Sequence, residues 1–273
     1  MSGISPRPNR PLCARFRQEA ADTAASIPRV MKLLHVSNLR FNRRWYRWLQ
    51  EHAPRHGLLV IAGNLVDHRH HTSLDSQRRW VIEWLRDYSR PLCVASGPED
   101  REFDPQANQW RPARWLLEAK SATRCVDDGF MAMGGFSVHC IGHGELPADR
   151  FADIYVVHHA ARQLQCESAP GRRVASVIAK PAVDCTAGAS AILCGELVNS
   201  GCWQWTEHGA LYLNPESSAD AGFPNHVVFD PTTMAALRVQ ATDYIPRIDV
   251  VGTRAVARTL GEAGDPALVE LGG

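Results

Sequence analysis

The sequence predicts an α/β fold with mixed sheets, and three observations carry that expectation. Short apolar runs recur at 32–37, 58–62 (LLVIA), 91–96 (PLCVAS), 136–141 (FSVHCI), 153–158 (DIYVVH) and 190–194 (SAILC). Continuous runs of this kind suit strands buried on both faces. Helical patterns separate several of them, at 43–54, 76–88 and 171–180. After residue 200 the pattern changes to paired strands, 202–206 with 210–213 and 226–230 with 234–239. Helix-linked strands followed by hairpins make layered α/β architectures.

Taken in order, residues 1–30 read as a flexible N-terminal extension, rich in proline before any periodic pattern begins. Met31-Lys32 opens the first strand. The helix that follows places Trp45, Trp48 and Leu49 toward a sheet, with Arg43, Arg44 and Arg47 outward. In the second helix Trp80, Trp84 and Tyr88 recur every four residues, which makes one apolar stripe for packing. The main domain spans 31–240. Residues 241–273 have weak periodicity and read as a C-terminal appendage, partly disordered.

Bulk composition narrows the function classes. The 273 residues have an apolar fraction of 45%, enough for a full core. Thirty basic against 29 acidic residues leave a formal charge of +1, so there is no global pull toward nucleic acid or an anionic membrane. The eight cysteines form no C-x-x-C pair, and Cys93 and Cys194 lie inside apolar runs, as reduced thiols of a cytoplasmic protein would. No apolar stretch has the length of a membrane span, and no signal-peptide core is read.

Three strands end in similar punctuation: HVSNLR, IAGNLVD and ASGPED. A lone VVHHA and a later CGELV follow, with GALYLNPESS after them. In order and spacing this series resembles the calcineurin-like metallophosphoesterases, whose motifs run D-x-H, G-D, G-N-H-[DE], a lone His and G-H-x-H. The resemblance covers roughly residues 31–240. It implies a four-layer α-β-β-α sandwich of two mixed sheets, with motif side chains holding two divalent metals (Mn, Fe or Zn) at the strand ends.

Carried over position by position, the match is of frame and not of chemistry. The Asp and His of the first motif fall on Asn38 and Arg40. The Asp that bridges the two metals falls on Asn64. The Asn ligand and the catalytic His fall on Pro98 and Glu99, and the final His pair on Glu196 and Val198. Of the implied ligands, His158 alone is retained. Asn38 and Asn64 remove carboxylates that would offset the metal charge, and Arg40 puts a permanent cation where a ligand stood. Hydrolysis in that family relies on metal-activated water. No catalytic residue and no cofactor is therefore expected. Arg40 is expected to stand in for the lost cations and to pair with Glu99, Glu196 or both.

Asp67, Glu99, His158 and Glu196 are the weak candidates for an unconventional metal set. The stretch Asp67-His68-Arg69-His70-His71 also carries ligand-type residues, but side chains so close on a loop point apart and seldom close a tetrahedral site. RFNRRWYRWL, and Arg111 and Arg114 beside Trp110 and Trp115, suit either an amphipathic surface or contact with nucleic acid. The sequence thus predicts a pseudoenzyme on a phosphoesterase-like scaffold that binds a protein partner and no membrane. The alternatives are a metal-dependent phosphodiesterase or phosphatase, and a non-hydrolysing binder of a nucleotide, nucleic acid or other phosphorylated ligand.

Overall fold

The computed structural model describes residues 31–145, 151–159, 189–195, 203–207, 209–218, 222–241 and 247–251. Two helices lie among them, α1 (Arg43–His52) and α2 (Leu74–Asp87). The strands in chain order are β1 (Leu33–Val36), β2 (Leu58–Ala62), β3 (Leu92–Ala95), β4 (Glu102–Asp104), β5 (Gln109–Arg111), β6 (Arg124–Cys125), β7 (Gly129–Met133) and β8 (Phe136–Ile141). They continue with β9 (Ile154–Val157), β10 (Ala191–Leu193), β11 (Gln204–Glu207), β12 (Ala210–Leu213), β13 (His226–Asp230), β14 (Ala235–Gln240) and β15 (Arg247–Val251).

One sheet has seven strands in the order β15-β14-β13-β1-β2-β3-β6, and another has six in the order β11-β12-β10-β9-β8-β7. Both are mixed. β1, β2, β3 and β6 run parallel while β13, β14 and β15 pair antiparallel. In the second sheet β8, β9, β10 and β12 are parallel, flanked by antiparallel β7 and β11.

Strand periodicity sorts the side chains between layers. Leu33, Val60, Cys93 and Phe229 on the first sheet meet Val138, Val156, Leu193 and Leu213 on the second, in one buried cluster. On the other face of the first sheet, Leu34, Val36, Ile61 and Val94 pack under α1 and α2. Helix α1 buries Trp45, Tyr46 and Leu49 and leaves Arg43, Arg44 and Arg47 exposed. It starts at Asn42, whose side chain caps Arg44 N–H, and it passes into a 3-10 turn carrying Pro54. Tyr46 joins the two helices through edge-on contacts with Trp80 and Trp84. The aromatic stripe on α2 is therefore packing, as its spacing predicts.

Each strand run read from the sequence is a strand here, within a residue or two. The ribbon β4–β5, the edge strands β6 and β7, and β15 are additional. Strand β15 lies within the segment read as an appendage, and it closes one edge of the seven-stranded sheet by pairing with β14. An edge strand is held mainly by backbone hydrogen bonds on one side, so it needs little hydrophobic periodicity. The helix expected at 171–180, which would form the fourth layer, lies outside the described residues, as do 1–30. No helix among the described residues is long and apolar enough to cross a membrane.

Candidate functional site

The carboxyl ends of β1, β2, β3, β9 and β10 converge, and their loops interlock. Asn38, Arg40 and Phe41 donate backbone N–H groups to the carbonyls of Gly63, Asn64 and Leu65 at 3.0, 2.8 and 2.8 Å. Asn38 and Asn64 both sit in the left-handed region, with φ of 53° and 55°, which asparagine tolerates better than most residues. Arg40 and Phe41 follow with φ of 42° and 54°, uncommon values for such side chains. Glycines let the loops touch. A Cβ on Gly97 would lie 2.6 Å from the Asn64 backbone nitrogen, and one on Gly195 would lie 2.7 Å from Ser37 Cβ.

At the bottom of this cup a chain of amides runs across four strand ends. Asn38 Nδ2 donates to the Gly195 carbonyl at 2.5 Å. Asn64 Nδ2 donates to Asn38 Oδ1 at 2.9 Å, and Asn64 Oδ1 accepts from Glu99 N–H at 3.1 Å. Both asparagines are nearly fully buried. The two ends fix the direction of the chain, because a carbonyl only accepts and a backbone N–H only donates.

The cup's remaining polar groups are held with equal definition. His158, buried at the end of β9, lies 2.7 Å through Nδ1 from the Ala62 carbonyl. Since that carbonyl can only accept, Nδ1 carries the proton and Nε2 the lone pair. Burial pushes the His158 imidazole down to about 3 against the bond to Ala62, and His159, His143 and Arg40 add to the effect. The ring is neutral at any ordinary pH. His143 is lowered to about 4 by burial, with contributions from His159 and Arg101. The His143 and His159 rings meet edge-on at 4.5 Å.

At the rim, Arg40 Nη2 lies 3.6 Å from Glu99 Oε1, with both side chains partly in solvent. Of the partners expected for Arg40, Glu99 is this close at the rim, and Glu196 lies outside the described residues. Pro98 opens a 3-10 turn over 98–100 and contributes its carbonyl to Arg101 Nε. Asp67 is turned away toward its own loop, capping Arg69 N–H, while Gln77 bonds its backbone on both sides. Glu196 and Val198 lie outside the described residues. Among the described residues, Asp67, Glu99 and His158 do not form a group of ligand atoms within 4.8 Å of one another. The three loop histidines do not converge on one point either. His68 reaches the Glu99 carbonyl, His70 accepts from Thr72 N–H and rests edge-on against Phe41, and His71 stacks on His70.

Two buried carboxylates hold the loops together, and neither was singled out from the sequence. Asp100 Oδ1 accepts from Leu65 and Val66 N–H at 2.7 and 3.2 Å, and Oδ2 accepts from Gly97 N–H at 2.7 Å. Burial pushes its carboxyl up to about 6 against those bonds. Its spacing of three from Gly97 across a tight turn was the available signal. Asp127, from the turn between β6 and β7, accepts Ser96 N–H at 2.7 Å, and burial pushes it up to about 7, with Glu145 and Asp100 adding to the rise. Nothing local in the sequence marks that contact.

Beside the cup is a cavity of about 490 Å³ lined by Arg40, Asn42, Arg43, Asp67, His70 and Thr72, among others. The ribbon β4–β5 stands at the same rim and exposes Phe103 and Trp110, with Arg101 over the Trp110 ring and His68 at its edge.

By sequence, the chain matches no family model and no curated protein. By structure, it resembles the protein TT1561 of Thermus thermophilus, at 13% identity and a TM-score of 0.51 over 82% of this chain and 99% of that one. It also resembles the phosphoesterase Yfce from E. coli, at 11% identity and 0.40 over 81% and 99% of the two chains. A metallophosphoesterase from Sphaerobacter thermophilus matches at 13% and 0.40 over 79% and 89%. The chain shares the fold of TT1561, an α/β architecture built here on two mixed sheets. In this chain the strand ends carry the cup, with Asn38 and Asn64 at the floor and His158 at the wall.

Proposed function

We propose that this chain is a non-hydrolytic member of the metallophosphoesterase fold that acts as a protein-binding or regulatory scaffold. The observation that carries the reading is the amide chain from Gly195 through Asn38 and Asn64 to the Glu99 backbone. Every atom that would face a metal from those two positions already has a protein partner. Among the described residues the donors at these positions do not fit two divalent cations: two engaged neutral amides, a proline, a guanidinium with the Glu99 carboxylate beside it, and a single neutral histidine. His158 keeps the tautomer that a metal-ligating histidine has, with the far nitrogen tied to a carbonyl, but among the described residues no carboxylate converges with it.

The aromatic ribbon supports a protein partner. Phe103 and Trp110 are large, half exposed and next to the cup, and aromatic side chains of this kind anchor interfaces. A second reading, a non-hydrolysing binder of a phosphorylated ligand, has the cavity beside the N-terminus of α1 in its favour, since Arg40 and Arg43 both line it.

The test is direct. Purified protein, stripped and reloaded with manganese, is assayed on bis-p-nitrophenyl phosphate beside a Glu99→Ala variant. No metal-dependent turnover is expected. Turnover that requires manganese and is abolished by Glu99→Ala would overturn the reading. For the partner, a pull-down from the native host is compared with a Phe103→Ser/Trp110→Ser variant, which should release whatever the wild type retains. Thermal shifts against a nucleotide panel, with Arg43→Ala as control, decide the second reading.

A further inference from the structure

Three cysteines from both sheets meet in the core, away from the cup. Cys93 on β3 and Cys125 on β6 are in-register neighbours in the seven-stranded sheet. Cys140 on β8 faces them from the six-stranded sheet, and its Sγ lies 3.7 Å from the Cys125 carbonyl. The three Sγ atoms all lie within 4.8 Å of one another, and the side chains are buried. Among the described residues this is the only group of three or more His, Cys, Asp or Glu side chains so convergent.

The surroundings narrow what such a group would hold. The walls are apolar, with Val60, Val138 and Val156 in the same cluster. No fourth His, Cys, Asp or Glu side chain joins the group among the described residues. Three sulfurs bonded to one ion at about 2.3 Å would stand about 4 Å apart, so a small inward shift suffices. Thiolates select soft ions, and a dry trigonal set suits a monovalent one that does not demand four ligands. β6 and β7 are edge strands of their sheets, and Gly129 places no Cβ against Cys125 Sγ. Hydrogen bonds from the Cys140 and Cys93 thiols acidify Cys125, while Cys93, through its bond to Cys125, and Cys140, through burial, are pushed up and hold protons that the ion must displace.

We propose that Cys93, Cys125 and Cys140 form a three-sulfur site for Cu(I) in the core between the two sheets. Binding forms three Cu–S bonds and releases thiol protons to solvent. No electron is transferred, because the ion enters already as Cu(I). The site does not depend on the function proposed for the cup.

The experiment titrates the reduced full-length chain with Cu(I) under anaerobic conditions, in competition with bicinchoninate. One equivalent should be withheld from the chelator, with three sulfurs in the first coordination sphere by X-ray absorption. Cys125→Ser, Cys93→Ser and Cys140→Ser should each lose it, as far as each stays folded by circular dichroism. Cys194→Ser, and a variant with serine at 13, 166, 185 and 202, should keep it. Absence of uptake, a two-sulfur spectrum, preferential retention of Zn(II) with a light-atom fourth ligand, or uptake that survives the cluster variants would each overturn the proposal.

Discussion

Asn64 donates its side-chain amide to Asn38 Oδ1 at 2.9 Å, joining two strand-end loops 26 residues apart in sequence. The pair depends on one being able to donate where the other accepts, and the Gly195 carbonyl decides which does which. Restoring a carboxylate at either position therefore puts charge against an oxygen that cannot donate. Asn38→Asp is expected to cost about 1–3 kcal/mol, the range for leaving a buried polar group unsatisfied. Urea denaturation with and without manganese checks this. Recovery of wild-type stability on adding the metal would mean that a cation seat survives.

The Arg40–Glu99 pair sits at the rim and not in the core. With side chains 42% and 30% exposed and a separation of 3.6 Å, solvent screens most of its attraction. A double-mutant cycle of Arg40→Met and Glu99→Gln should give a coupling below about 1 kcal/mol. A coupling several times larger would place the guanidinium deeper in the cup.

Asp127 gives a pH dependence of known sign. Its folded value of about 7 lies above the usual 3.8, so the folded state holds a proton that the unfolded chain releases earlier. The stability it contributes is full below the unfolded value and is lost as pH rises from about 4 through 7. Asp127→Asn, an uncharged mimic of the protonated acid, should be near neutral at low pH. At pH 8 it should stabilise the fold, by an amount that chemical denaturation reads directly.

Buried histidines act in the opposite sense. His35 is bonded through Nε2 to the Cys194 carbonyl across the two sheets and is lowered to about 4 by burial, as His158 is to about 3. Both stay neutral in the fold while the unfolded chain protonates near 6.5. Their contribution is intact above 6.5 and is lost as pH falls toward 3 to 4. His158→Asn should flatten the acid limb of the stability curve, opposite in sign to the change that Asp127→Asn makes.

Gly97 allows a close approach between two loops. A methyl there meets the Asn64 backbone, which cannot rotate away as a flexible side chain would. Gly97→Ala should destabilise by about 1–3 kcal/mol, the usual cost of overpacking, and thermal melts check it.

The sequence by itself determined the strand framework. Runs such as Leu58–Ala62 and Phe136–Ile141 are legible because burial on both faces demands continuous apolar residues, and α1 and α2 because one face must be apolar every three or four residues. It also placed Asn38, Asn64, Pro98 and His158 at strand ends, where local punctuation marks the turn. Only the tertiary structure decided what those side chains do. The amide chain, the clamp of Asp100 on Leu65 and Val66, the reach of Asp127 to Ser96, and the meeting of Cys93, Cys125 and Cys140 all join residues from different strands. Periodicity reports the face on which a residue lies. Hydrogen bonds and thiol contacts depend on which other strand lies opposite, and that is fixed by sheet order and register.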